Sequence, residues 1–180
     1  MKGIVFTGFL DMVEEKFGYD IADEIISEGN LPSGGSYTSV GTYSHGEMVQ
    51  LIMGLSQKTQ KDAPSLLKAF ALYFFDTLEK TYPQFLEAAD NAFDFLESIE
   101  NYIHVEVRKL YPDAELPTFE TNLLGDNTLE MIYTSERAMS DFAEGLMERA
   151  IGYYGEEATI EKKKLSEDGK KVQFVVIKKG

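Results

Sequence analysis

The sequence contains no cysteine, and only two of its 180 residues are histidines. Without thiols the chain can form no disulfide, no thiolate metal site and no cysteine nucleophile. The side chains left for chemistry are those of histidine, tyrosine and the carboxylates. A nucleophile elbow, a P-loop and an HExxH zinc motif are missing as well, so nothing in the sequence predicts an enzyme.

Basic residues are few compared with acidic ones. Lysine and arginine number 17 against 31 aspartates and glutamates, and the formal net charge is −14. This balance argues against a nucleic-acid partner, because contacts to phosphates need a basic face. Hydrophobic residues make up 43% of the chain and aromatic residues 12%, a composition that excludes a disordered chain.

Long hydrophobic runs are also missing. No run approaches the ~20 apolar residues of a membrane span, and the N-terminus lacks the charged head, apolar run and cleavage site of a signal peptide. We therefore expect a cytoplasmic protein. A chain of 180 residues has the usual length of one domain with a substantial core, so a single domain over residues 1–180 is expected.

The stretch from Asp90 to Leu110 is predicted to form one long helix, with Asp90 as its N-cap and Pro112 ending it. His104 lies beside an apolar stripe at helical spacing, formed by Ala92, Leu96, Ile99, Ile103, Val107 and Leu110. A histidine in this place can be a satisfied core residue or a metal ligand. The stretch alone leaves both possibilities open.

The rest of the chain is predicted to complete an α+β domain. Helical spacing recurs along the first 110 residues and again from Met139 to Ala150. Alternating hydrophobicity predicts two hairpins, residues 117–124 with 128–134 and residues 158–165 with 171–178. The outline is a helical N-terminal part packed on an antiparallel sheet of about four strands.

The second histidine, His45, lies within a Ser-x-x-Glu pattern that predicts the start of a helix. Ser44 and Glu47 are expected to form a capping box ahead of an apolar stripe. His45 would then lie in an exposed first helical turn. We interpret it as a surface residue rather than a ligand.

Three polar residues stand close together at the end of a predicted strand. Tyr133, Ser135 and Arg137 supply two hydroxyls and a guanidinium within five residues, and such groups can converge on an anion. Alternatively, Ser135 caps the following helix and Arg137 lies in solvent. The spacing favours neither interpretation.

A helix-borne histidine followed by the pattern Tyr-x-Ser-x-Arg resembles the H-NOX (haem nitric oxide/oxygen binding) domain. The opening Met1–Phe6, the segment Leu67–Phe70 and the run from His104 to Pro112 resemble this family too. The likeness covers essentially the whole chain.

The resemblance implies a haem b held between the helix that carries His104 and the distal helices, with His104 as the axial iron ligand. It also implies that Tyr133, Ser135 and Arg137 bind the haem propionates, and that Pro117 presses on the haem and distorts it. A neutral imidazole as the single protein ligand leaves the other face of the iron open to a gas. The apolar wall around that face is expected from Val5, Phe9, Leu66, Phe70, Phe74, Phe142 and Leu146.

The choice of gas is expected to follow from the absence of a hydrogen-bond donor in this wall. In O₂-binding members of the family a distal tyrosine donates a hydrogen bond, and the matching position here is Phe142. Bound O₂ gains much from such a donor, whereas NO and CO need one far less. The resemblance therefore implies a sensor that binds NO and CO and forms no stable O₂ complex.

The resemblance also implies a signalling partner in trans, because the chain carries no output module. A histidine kinase or a diguanylate cyclase is expected, with the sensor itself a monomer. Two alternatives stay open: an O₂-binding haem protein, and a haem-free interaction module in which His104 and Arg137 are structural.

Overall fold

The computed structural model describes residues 1–179 and confirms the expected α+β class. Within that range the helices are α1 (Gly3–Phe17), α2 (Tyr19–Ser27), α3 (His45–Thr59), α4 (Ala63–Thr81), α5 (Pro83–Glu87), α6 (Ala92–Ser98), α7 (His104–Leu110) and α8 (Ser140–Tyr153). The strands are β1 (Thr118–Gly125), β2 (Thr128–Thr134), β3 (Ala158–Lys164) and β4 (Lys171–Lys178). No helix among residues 1–179 is both long and apolar enough to cross a membrane.

The four strands form one antiparallel sheet in the order β1-β2-β4-β3, so both predicted hairpins are confirmed. Leu129, Met131 and Tyr133 share a face of β2, as their alternation predicts, and all three are buried. Directly opposite them on β4 lie Val176, Phe174 and Val172, which are buried as well. This apolar face of the sheet packs against α6 and α8.

The helical N-terminal part has a core of its own, to which α1, α2, α3 and α4 all contribute buried residues. Asp62 caps the start of α4, because its Oδ1 accepts the Ser65 N–H at 2.9 Å. Ser44 caps α3 by accepting the Gly46 N–H at 3.2 Å, but the predicted capping box is wrong. The Glu47 carboxylate is buried and instead accepts hydrogen bonds from Ser33 and Tyr37, because the loop before α3 folds over it.

The predicted long helix is one helical run with an irregular middle. Its N-cap is Asn91 rather than Asp90, because Asn91 Oδ1 accepts the N–H groups of Phe93 and Asp94 at 3.0 and 3.1 Å. Between α6 and α7 the chain forms a π-helical turn, Ile99–Ile103. Leu110 ends the run and is 57% exposed, so its predicted place on the buried stripe is wrong.

The prediction that His45 is exposed is also wrong. Its imidazole is half-buried, and Nδ1 is buried without a hydrogen-bond partner within residues 1–179. The N-terminal amine lies near this first turn of α3, because the Met1 amine donates to the carbonyl of Tyr43, two residues before His45, at 2.7 Å. Burial lowers the pKa of His45, and the positive charges of Arg137 and the N-terminal amine lower it further.

Candidate functional site

A cavity of about 340 Å³ lies where the helical part meets the sheet. Its wall is contributed by α1, α4 to α8, the π-helical turn and the strands β1 and β2. Most of the wall is apolar, with a few polar side chains that face the same space. This combination is typical of a cofactor or ligand site.

Most of the residues singled out in the sequence line this one cavity. They come from distant parts of the chain: Val5, Phe74, His104, Pro117, Tyr133, Ser135, Arg137, Phe142 and Leu146. The fold therefore brings the histidine, the proline and the Tyr-x-Ser-x-Arg residues together, as the resemblance implies.

Phe9 and Phe70 do not line the cavity, which corrects their expected place in its wall. Both are fully buried, and their ring centroids lie 5.2 Å apart in an edge-to-face arrangement. Phe70 packs against Phe142 at 5.0 Å and against Phe74 at 5.4 Å, so it supports the wall from behind. Leu66, which is also buried, lies outside the wall too. Helical spacing identified the correct face of these helices but not how deep each side chain lies.

His104 is the first residue of α7 and is 8% exposed. Its Nδ1 lies 3.1 Å from Glu100 Oε2, and within residues 1–179 this is the hydrogen bond that its ring makes. Burial lowers the pKa of His104, although the Glu100 carboxylate acts in the opposite direction, so the ring is neutral near pH 7. A carboxylate can only accept, so the proton sits on Nδ1 and the lone pair of Nε2 is free to bind a metal.

Glu100 is a site residue that the sequence reasoning missed. Burial acts to raise its pKa, but hydrogen bonds from His104 and from the Phe119 N–H outweigh burial and the pKa is lowered. The carboxylate is therefore ionised. The available signal was its spacing from His104, since side chains four residues apart lie on the same face of a helix.

Tyr133, Ser135 and Arg137 lie together at the end of β2. The Tyr133 hydroxyl accepts the Met139 N–H at 3.1 Å, and Ser135 Oγ accepts the Arg137 N–H at 3.2 Å. Ser135 thus closes a turn instead of capping α8, which starts only at Ser140. The Arg137 side chain is 15% exposed, so the alternative that places it in solvent is wrong.

A hydroxyl pair in the cavity wall was not foreseen either. The Tyr82 and Tyr111 hydroxyl oxygens lie 3.0 Å apart, and both side chains line the cavity. Burial, followed by the hydrogen bond with Tyr111, raises the pKa of Tyr82 to about 12. The two residues follow different helices, so no local spacing could have predicted that they meet.

The residues present fit the group that the resemblance implies. A buried imidazole offers a free Nε2, as the axial ligand of a haem iron must. A guanidinium and two hydroxyls at the C-terminal end of β2 suit carboxylate groups such as propionates. The apolar walls suit a flat hydrophobic ring system.

Comparisons with known proteins agree with this geometry. A family model described as Haem-NO-binding matches residues 2–162. The chain is 47% identical over its whole length to the Fe(II) unliganded H-NOX protein from K. algicida, covers 97% of that chain and superposes with a TM-score of 0.97. No curated relative matches the sequence.

Two further solved structures are similar. The H-NOX from Shewanella woodyi, solved in solution in the Fe(II)CO ligation state, is 38% identical, with 99% of this chain and 95% of that chain covered and a TM-score of 0.85. An H-NOX protein from S. oneidensis in the Fe(II)NO ligation state is 24% identical over the full length of both chains, with a TM-score of 0.92. The latter likeness shows the fold alone.

Proposed function

Because the chain belongs to the haem-NO-binding (H-NOX) family of haem-based gas sensors, we propose that it holds haem b in the cavity and senses nitric oxide. One observation carries the proposal. A single cavity joins a buried imidazole with a free Nε2 to a guanidinium and two hydroxyls that suit propionates.

Each part of the site has a separate role in the proposal. His104 holds the iron through Nε2, and Tyr133, Ser135 and Arg137 bind the propionates. When bound, the haem supplies an iron whose open side can take a diatomic gas. Pro117 borders the cavity next to β1 and is proposed to press on the ring system.

The apolar residues opposite His104 are proposed to select the gas. Val5, Phe74, Phe142 and Leu146 carry no hydrogen-bond donor on their side chains. A donor would stabilise bound O₂ by about 2 kcal/mol, or roughly thirtyfold in affinity, and would matter far less for NO or CO. The Tyr82 and Tyr111 side chains also line the cavity, and one of their hydroxyls donates to the other at 3.0 Å. The accepting hydroxyl keeps its own proton, and the proposal places this donor away from the bound gas. We therefore favour binding of NO and CO without a stable O₂ complex over O₂ binding.

Signalling is proposed to use the helix that carries His104. In this proposal α7 has one position when His104 is bound to the iron and another when it is released. A gas that shifts the balance between the two positions can change the activity of a partner protein. The proposed partner is a histidine kinase or a diguanylate cyclase in trans, with this chain as a cytoplasmic monomer.

Reconstitution with haem tests the proposal. The purified chain should acquire an intense Soret band, and His104→Gly should hold haem loosely unless imidazole is added to replace the missing ligand. The imidazole-rescued variant is its own control, because rescue shows that the fold is intact. Full haem retention by His104→Gly with an unaltered spectrum would reject the ligand assignment. A wild-type chain that takes up no haem would favour the haem-free interaction module.

A further inference from the structure

Glu100 is the one acidic side chain that contacts His104 within residues 1–179. We propose that Glu100 is a positioning residue for the iron ligand: it orients the His104 ring and, through its charge, sets how strongly Nε2 donates to the iron. The inference rests on the proposed haem site and deepens it.

The orientation follows from the hydrogen bond between the two side chains. Glu100 Oε2 accepts the Nδ1 proton of His104 at 3.1 Å, which fixes both the tautomer and the rotation of the ring. With Nδ1 occupied, Nε2 is the only ring atom left to bind a metal. Partners of this kind raise the basicity of a metal-bound imidazole, because the acceptor draws the Nδ1 proton toward itself.

The backbone around Glu100 is irregular where this contact forms. Glu100 lies in the π-helical turn, and the His104 N–H donates to the Ile99 carbonyl, five residues back, as a π turn requires. Such turns are rare and are frequently found at functional sites. Here the turn stands immediately before the residue proposed to hold the iron.

Two other groups share the Glu100 carboxylate and limit its effect on His104. The Phe119 N–H donates to Oε2 at 3.2 Å, and Arg108 Nη2 lies 3.4 Å from Oε1. β1 is an edge strand, so the Phe119 N–H can be used outside the sheet ladder. Glu100 thus links the helical run that carries His104 to β1 at Phe119, two residues beyond Pro117. Arg108 offsets part of the negative charge of Glu100.

A purely structural role is the competing explanation. Glu100 could simply stabilise the helix through its pairs with His104 and Arg108 and satisfy one N–H of the edge strand. Such a role would change stability when Glu100 is replaced, but it would not change the strength of the bond between iron and Nε2. The two explanations therefore differ in a spectroscopic signature.

The test is the iron–histidine stretching frequency of the haem-reconstituted ferrous protein, measured by resonance Raman spectroscopy. Glu100→Gln keeps the shape of the side chain and removes its charge, so the frequency should fall. Arg108→Gln removes the offsetting charge, so the frequency should rise. Glu106→Gln is the matched control, because Glu106 lies on the same helix, pairs with Lys109 and makes no hydrogen bond to His104. Glu106→Gln should leave the frequency unchanged.

Haem loss provides a second readout in the same proteins. Removing an outer partner of a metal-bound histidine typically weakens metal binding by tenfold or more, so haem transfer from Glu100→Gln to a competing apoprotein should be roughly tenfold faster. Unchanged frequency and unchanged haem loss in Glu100→Gln would overturn the inference.

A third measurement keeps the inference testable if a variant, or the wild type, holds no haem. Nitrogen-15 NMR of the full chain without haem should show the Nδ1–H tautomer of His104 in the wild type. In Glu100→Ala the Nε2–H tautomer, which free imidazole side chains prefer in water, should become the major form. A wild-type chain without a Soret band would reject the proposed function alone, whereas the same tautomer in both proteins would reject the role of Glu100.

Discussion

Arg137 and Glu115 form an ion pair at the rim of the cavity, with Arg137 Nη2 lying 2.8 Å from Glu115 Oε2. The two members differ in environment, since the side chain of Arg137 is 15% exposed and that of Glu115 is 87% exposed. Arg137 Nη1 also donates to the Glu115 backbone carbonyl, so an exposed carboxylate that swings into water releases Nη2 for another anion. The ion pair would therefore compete with the proposed propionate binding.

The first prediction concerns this competition. Arg137→Ala should speed haem loss by about tenfold or more, because a charge-assisted hydrogen bond in a partly buried site contributes about 1.5–3 kcal/mol. Ser135→Ala should have a smaller effect, since it removes a neutral hydroxyl. Glu115→Gln should slow haem loss slightly by releasing Arg137. Transfer of haem to a competing apoprotein measures all three rates.

Equal rates for Arg137→Ala and the wild type would contradict the propionate role of Arg137. Faster haem loss in Glu115→Gln would show that the ion pair supports the site instead of competing with it.

The second prediction concerns Phe142. Its ring lines the cavity and packs against the rings of Phe70, at 5.0 Å, and Phe74, at 6.0 Å. Phe142→Tyr adds a donor and should raise the O₂ affinity of the ferrous protein by roughly thirtyfold, the effect of about 2 kcal/mol. Phe142→Leu is the control and should bind O₂ no better than the wild type. Equal gains in both variants would mean that space, and not a hydrogen bond, limits O₂ binding.

The third prediction is a pH dependence of stability caused by His45. Burial, Arg137 and the N-terminal amine lower its pKa in the folded chain, whereas the unfolded chain takes up the proton at the ordinary value of 6.5. Below that value the unfolded state binds more protons, so the free energy of unfolding falls as the pH falls toward the lowered folded pKa. His45→Gln should flatten this fall.

Urea unfolding of the wild type and of His45→Gln at several pH values between about 7 and about 5 measures the effect. Parallel curves for the two proteins would contradict the assignment to His45.

The fourth prediction compares two glycines of α8. A Cβ at Gly145 would lie 2.7 Å from the Ala71 Cβ and 2.8 Å from the Lys68 carbonyl oxygen, so α4 and α8 can approach closely only because Gly145 has no side chain. Gly145→Ala should lower the free energy of unfolding by about 1–3 kcal/mol. Gly152→Ala is the control, because a Cβ there meets nothing within 4 Å, and it should raise stability by about 0.5–1 kcal/mol.

Urea denaturation of both variants separates the packing effect from helix propensity. A Gly145→Ala protein as stable as the wild type would show that the two helices can shift apart at little cost.

The sheet was predictable because its signals are local. Alternating residues such as Leu129 and Met131, with a turn at residues 125–127, specify a hairpin without reference to the rest of the chain. The cavity was predictable only through the family pattern. His104 and Arg137 are far apart in the sequence, and neither spacing nor composition indicates that they share one space.

The predictions that were wrong have a common cause. They depend on tertiary contacts, and the spacing of apolar residues in the sequence does not specify those contacts. The 3.6-residue period assigned Phe9 and Phe70 to the correct helix faces, but depth within the core depends on how α1 and α4 pack. His45 is half-buried in the first turn of α3, where Arg137 and the N-terminal amine, both distant in the sequence, lie close enough to lower its pKa. The π-helical turn was missed because a regular helical period was extended through it.

The visible absorption spectrum of the reconstituted ferrous protein decides whether the cavity holds a haem that binds NO and CO beside an apolar wall. We expect an intense Soret band that shifts on addition of NO and, separately, of CO, and we expect no stable oxygenated spectrum in air. A chain without a Soret band after reconstitution, or a stable oxygenated spectrum in air, would contradict the proposed function.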